Sequence, residues 1–228
     1  MLDDLFKEVA AFELRLGLPA GFYDSLLKND DWSFVVKLNA LFEAACTEAL
    51  VARLSCPEIS NNLAHLDFAD NKKGKVRLCF ELGIINDEQR LALNELAELR
   101  NNLVHKIENV NFSFTKYIQD LSKGKQDTLV KRWGRNLNDT LSFGGVTVSK
   151  TDFVQENLKY VIWQSCADTL ACLHLEFENA IWRERQRALD GYKAIFTEVQ
   201  SHSPSTEPSS ANRPSGILSA FLKMDGEH

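Results

Sequence analysis

The sequence contains no apolar run approaching the ~20 residues that a membrane-crossing helix requires. It also lacks the basic-then-apolar opening of a leader peptide: MLDDLFKEVA begins acidic and amphipathic. The expectation is a cytoplasmic, untargeted protein with no membrane partner. Cysteine is sparse and unpatterned. Cys46, Cys56, Cys79, Cys166 and Cys172 are odd in number, scattered, without a CxxC pair, and set mostly among apolar neighbours. Reduced core thiols fit that distribution better than a disulfide framework or a metal or redox centre. Positive charge is short as well. A net charge of −6 and a pI near 5.4 give any polyanion a long-range field of the wrong sign. That excludes indiscriminate binding to nucleic acid or anionic membrane and confines any RNA contact to a local patch. Period-two alternation is missing apart from a hint at Val146 to Val148, so strand is expected to stay below about 10%. No helix-turn-helix with a basic second helix is found, which argues against direct reading of DNA.

What is present is helical. The 228 residues, 44% of them hydrophobic and 25% charged, suit an ordinary soluble protein of one domain with extensions, or at most two small domains. Leu2, Leu5, Val9, Phe12 and Leu16 mark a first helix, halted by Gly17 and Pro19, and Phe22 to Leu27 reads as a short second piece. Asn29, Asp30 and Asp31 are capping candidates for a long core helix from Trp32, on which Glu43 and Glu48 are the polar exceptions. A Glu on that helix either faces solvent or reaches across to orient an arginine. Lys72 to Leu82 reads as a short helix with Gly83 as a left-handed C-cap. Lys72, Lys73, Lys75 and Arg77 form a basic face on it, either solvated or a phosphate-attracting rim.

The stretch Asn86 to Ile107, NDEQRLALNELAELRNNLVHKI, organises the chain. Asn86 and Gln89 have the spacing of a capping box, and Asp87 and Glu88 suit the positive first turn. Ala92, Leu96, Leu99, Leu103 and Ile107 recur as one buried stripe. Beside or opposite it lie Arg100, Asn101, Asn102 and His105. Asn101 and His105 share a face, whereas Arg100 and His105, five apart, diverge by about 140° on an intact helix. They converge on one small target only if the last turn loosens or a second copy of the helix packs antiparallel. A homodimer through this face is therefore expected.

The hexad Arg100-Asn-Asn-Leu-Val-His105 resembles the R-x4-H signature of the HEPN superfamily of all-helical domains, with the polar residue that commonly follows the arginine. The frame around it strengthens the likeness: DWSFVVKLNALFEAACTEALVARL, then NKKGKVRLCFELGII, then the R-x4-H helix, then NFSFTKYI. This order is similar to HEPN-related proteins labelled MltR-like, after the mannitol operon repressor, over Tyr23 to Ile118. Where catalytic members carry His-x-Tyr, His105 is followed by Lys106 and Ile107. The resemblance implies an all-α, HEPN-like antiparallel helical bundle with a long C-terminal helix. It also implies a metal-independent endoribonuclease, of the toxin or defence-effector kind, with Arg100, Asn101 and His105 as catalytic residues and no cofactor. The alternative it implies is a non-catalytic, MltR-like regulator or protein-interaction module. Imidazole titrates near neutrality and can take a proton from a ribose 2′-hydroxyl or give one to the leaving 5′ oxygen, while a guanidinium steadies the phosphate and Asn101 orients the ring. Equally, Arg100 and the asparagines can cap the helix end and hold the next loop, with His105 a neighbour.

The rest of the chain offers two further readings. Residues 123–149 look like a loop insertion, Gly-punctuated at both ends and with room for a helical turn or two around Leu129 to Leu137, in which Lys123, Lys125, Lys131, Arg132 and Arg135 surround Trp133. Either this patch binds RNA, cations on phosphate and indole on a base, or Trp133 packs down on the domain. Asp152 to about Val199 carries the longest helical pattern, with Ser149 as its cap. Its first half is a core stripe and its second a narrow seam of Trp182, Leu189, Tyr192, Ile195, Phe196 and Val199, read as projecting or bending near Gly191 and contacting a partner. His174 and Glu178 make at most half a metal site. The domain so defined covers residues 1–200. Residues 201–216 have the composition of a disordered linker, and residues 217–228 end the chain with an apolar-studded segment in which 217–224 is a candidate motif for a protein partner, an antitoxin or a regulator.

Overall fold

The computed structural model describes residues 2–201; the expected linker beyond Ser201 and the segment over 217–228 lie outside the described residues. Ten α-helices and one two-stranded hairpin make up the described chain, together with three 3₁₀ turns. The protein is thus predominantly helical, as the periodicity indicates, and strand is confined to β1 (Thr140–Phe143) and β2 (Val146–Ser149), joined through Gly144 and Gly145. The described chain divides into two units, one ending at Arg185 and the other beginning at Gln186. No helix among the described residues is long and apolar enough to cross a membrane.

In the first unit α3 (Asp31–Leu54) is the central element, buried nearly all round by Phe34, Val35, Leu38, Leu41, Phe42, Ala45, Cys46, Ala49 and Leu50. A helix apolar on every side must be covered on every side. Around it pack α4 (Ser60–Ala64), α5 (Lys75–Glu81) and α6 (Asp87–Val104). Asp30 caps α3 by accepting from the Ser33 backbone N–H at 2.8 Å. Asp31, one residue on, accepts from the Phe114 N–H at 3.0 Å and pairs with Lys159 at 3.2 Å, tying α7 (Phe114–Asp120) and α10 (Leu158–Ser201) to the start of α3. The N-terminal helix α1 (Leu2–Arg15) is joined through buried Glu13, which accepts from the backbone N–H groups of Gly21 and Tyr23. Beyond α2 (Phe22–Ser25), the Tyr23 hydroxyl donates to the Trp163 carbonyl and the Trp163 indole returns a bond to the Tyr23 carbonyl at 3.1 Å.

Three expectations are corrected. Residues 123–149 are not a loop insertion: α8 (Lys123–Trp133) is a three-turn helix whose Leu129, Val130 and Trp133 join the main core. The helix expected from Asp152 is broken. α9 (Lys150–Glu156) ends at Asn157, whose backbone N–H and side-chain amide both bond the Phe153 carbonyl, at 3.0 and 3.1 Å, and α10 starts at Leu158. Helical bonding in α10 then runs unbroken past Gly191. The basic face expected over 72–82 is also divided. Lys75 is 2% exposed and turned inward to Glu43 at 3.2 Å and the Ala64 carbonyl at 3.0 Å. Glu43 is therefore committed to Lys75, not to Arg100. Gly83, in contrast, stands as expected with φ +70°, and Gly83 N–H to Phe80 and Ile84 N–H to Cys79 complete a Schellman C-cap on α5.

Candidate functional site

The site is built on α6. Asn86 Oδ1 accepts from the Gln89 N–H and Gln89 Oε1 from the Asn86 N–H, both at 2.9 Å, so the capping box is closed and fixes the start of the helix. Ala92, Leu96 and Leu103 are buried against the core and Leu99 is partly so. The stripe stops there. The helix ends at Val104 with His105 as its cap, and Ile107, expected as the fifth stripe residue, is 85% exposed at the start of the 3₁₀ turn Ile107–Asn111. The cause is local: Lys106 turns to extended backbone, and the Asn109 side chain takes the Asn102 carbonyl at 2.7 Å.

Arg100 is half-buried and donates to Asn101 Oδ1 at 3.0 Å. His105 is exposed, and among the described residues its ring has no hydrogen-bond partner, while its backbone N–H still reaches the Asn101 carbonyl at 3.3 Å. The last turn therefore does not loosen, and Arg100 and His105 keep a divergence of about 140°. Asn101 and His105 remain one turn apart on a shared face. Val104, Ile107 and Val110 around this helix end are all exposed.

Beside it opens a groove of about 1080 Å³ between α6, the 107–113 segment, α7 and α8. Asn94, Glu98, Asn101 and Asn102 of α6 face it, as do Lys116 and Tyr117 of α7 and Lys125 and Arg132 of α8; Arg100 and His105 do not line it. Glu95 sits in its wall, paired with Arg132 and bonded by the Trp133 side chain. Burial raises the Glu95 carboxyl above its usual range, against the pull of the Arg132 guanidinium. The Tyr117 phenol is raised too, by burial first and then by the carboxylates of Glu95 and Glu98. The groove was not foreseen from the sequence, although Asn94, Glu98, Asn101 and Asn102 repeat at helical spacing opposite the apolar stripe.

The basic-aromatic patch is not brought together as a surface. Trp133 is 3% exposed and its faces are occupied, so it cannot stack a base. Arg132 is spent on Glu95, and Arg135 is turned inward to Asp168 at 3.7 Å and the Ser165 carbonyl at 3.4 Å. Only Lys131 of the four is exposed. His174 and Glu178 are 4.0 Å apart, but the other ring nitrogen of His174 meets Glu8 at 2.7 Å and the ring lies against Phe12, a packed pair across α1 and α10. Among the described residues no group of three or more His, Cys, Asp or Glu side chains gathers in a way that could hold a metal ion.

Comparison of the chain with protein-family models, with curated proteins and with solved structures finds no match. The class that the fold itself defines is a predominantly helical domain with an exposed Asn-His helix end beside a polar groove.

Proposed function

We propose that this protein is a HEPN-like, metal-independent endoribonuclease whose site is completed by pairing two copies of the α6 end. The observation that carries the reading is His105: a solvent-facing imidazole with no hydrogen-bond partner among the described residues, one turn from Asn101, which itself lines the groove. In the reaction, one His105 takes the proton of a ribose 2′-hydroxyl and the 2′-oxygen forms a bond to phosphorus. The bond from phosphorus to the 5′-oxygen breaks, and that oxygen receives a proton from the imidazolium of the second copy. The products are a 2′,3′-cyclic phosphate and a 5′-hydroxyl. Arg100 of the opposing copy meets the phosphate charge. Exposed Val104, Ile107 and Val110 supply an apolar rim for an isologous contact. The groove offers a strand Lys116 and Lys125 for phosphates and asparagine amides for base edges.

A second reading has its own support. The Asn109–Asn102 bond pins the loop after α6 and the Arg100–Asn101 bond stays within the helix, which is what a non-catalytic regulator or interaction module would use the cluster for. Cleavage of single-stranded RNA in EDTA separates the two. Wild type is expected to leave cyclic phosphate ends, and Arg100→Ala and His105→Ala each to lose ~10²–10⁴-fold in rate with the helical spectrum and oligomeric mass unchanged. Equal inactivity of wild type and His105→Ala on diverse RNAs, with Arg100→Ala melting markedly lower, would hand the cluster to the regulator reading.

A further inference from the structure

The described part of the second unit is a helix that buries nothing of its own. Along α10, Leu189, Tyr192, Ile195 and Phe196, preceded one heptad earlier by Trp182, are between 50% and 68% exposed. Their spacing is that of a coiled-coil seam, with Trp182, Leu189 and Phe196 in one core position and Arg185, Tyr192 and Val199 in the other. Three aromatics and two branched aliphatics at this exposure offer roughly 600 Å² of side chain per copy, taking the usual areas of such groups. A pair of copies would remove about 1,200 Å², the lower edge of a specific, stable interface.

We infer that this seam pairs antiparallel with the same seam of a second copy of the chain. Direction follows from Arg185. In a parallel pair each core position faces itself, so Arg185 would meet Arg185 of the partner in an apolar layer. In the antiparallel pair one core position lies level with the other. Leu189 then faces Tyr192, and Arg185 lies against the ring of Phe196, where a guanidinium on an aromatic face is attracted and not repelled. The two Arg185 side chains are then separated by about 16 Å along the axis, beyond the ~8 Å over which physiological salt leaves exposed charges in contact. The register is reciprocal, each layer occurring twice, so the surface is complementary to itself. The argument for a second copy over an unrelated helix is the area, which reaches what a specific dimer needs, together with the layers that set Arg185 on Phe196. The inference does not rest on the ribonuclease reading, which concerns α6.

Cysteine pairing in the full-length chain tests it. Leu189→Cys and Tyr192→Cys are each oxidised alone and after mixing, with wild type and its five native cysteines as background. The antiparallel register gives covalent dimer in the mixture and none above background for either variant alone. Cross-linking of Leu189→Cys or Tyr192→Cys with itself overturns the register, and no cross-link in any arm overturns the pairing and leaves the seam to another occupant, such as the chain's own 217–224 stretch. Leu189→Glu with Phe196→Glu should weaken self-association of this kind by roughly a hundredfold, since truncating or charging central aromatic and aliphatic anchors commonly costs that much. An unchanged association constant, with the helical spectrum retained, counts against the inference whatever the outcome with RNA.

Discussion

Replacing Trp133 with alanine distinguishes a core tryptophan from a base-stacking one by magnitude alone. The indole is 3% exposed, and the void among Trp133, Leu96, Leu158 and Ile162 is only about 10 Å³, so the surroundings are already close-packed. Deleting a ring from such a site costs about 3–5 kcal/mol. For a chain of this size each kcal/mol lowers the melting temperature by about 2–4 °C, so Trp133→Ala should melt roughly 6–20 °C below wild type. Out of a total stability of about 5–15 kcal/mol, that is a large share. Trp133→Phe keeps most of the volume without the N–H and should lie between the two. Lys131→Ala, on the exposed side of the same helix, should stay within about 0.5 kcal/mol. Thermal melts by circular dichroism, read beside RNA titrations at two salt concentrations, give both axes. If the indole stacked a base, truncation would spare the melting temperature and cost about 1–3 kcal/mol of RNA affinity. A Trp133→Ala protein melting within about 2 °C of wild type while losing RNA would refute the packing argument.

Two further predictions follow from buried contacts. Because burial raises the Glu95 carboxyl in the folded state, its stabilising contribution is whole below the unfolded carboxylate pKa and is lost as pH rises through the raised value. Glu95→Gln cannot ionise, so urea unfolding at pH 4 and pH 7 should show the variant gaining on wild type as pH rises, by about 1.4 kcal/mol for each pKa unit of the displacement; a difference independent of pH would contradict this. At Gly74 a Cβ would fall 2.5 Å from the Asp70 backbone nitrogen and 2.6 Å from its oxygen, so Gly74→Ala must displace main chain and should lower the melting temperature clearly. Gly124→Ala, with nothing within 4 Å, should hold or gain about 0.5 kcal/mol through the unfolded state.

What could be read from the chain and what could not divide along the range of the interactions involved. The Asn86–Gln89 box, the Gly83 cap and the Ser149–Asp152 cap are each closed by groups within five residues, so the residues that decide them stand together in the sequence. Lys75 is the opposite case. Set among Lys72, Lys73 and Arg77, it has the neighbours of a surface cation, and what turns it inward is Glu43 of α3 and the Ala64 carbonyl of α4, 32 and 11 positions away. Trp133 is likewise flanked by cations, yet Arg132 and Arg135 are drawn off by Glu95 and Asp168, acids on other helices, which leaves the ring to the core. The same logic explains the one misjudged helix end in the site: an apolar stripe predicts Ile107 as buried, but a helix needs its terminal carbonyls, and the Asn109 amide had a claim on that of Asn102. His105 remained outside all of these pairings. A polar group that finds a partner across the fold is explained by the fold, and one exposed at a fixed helix end beside a groove is left for a ligand or a second chain to explain.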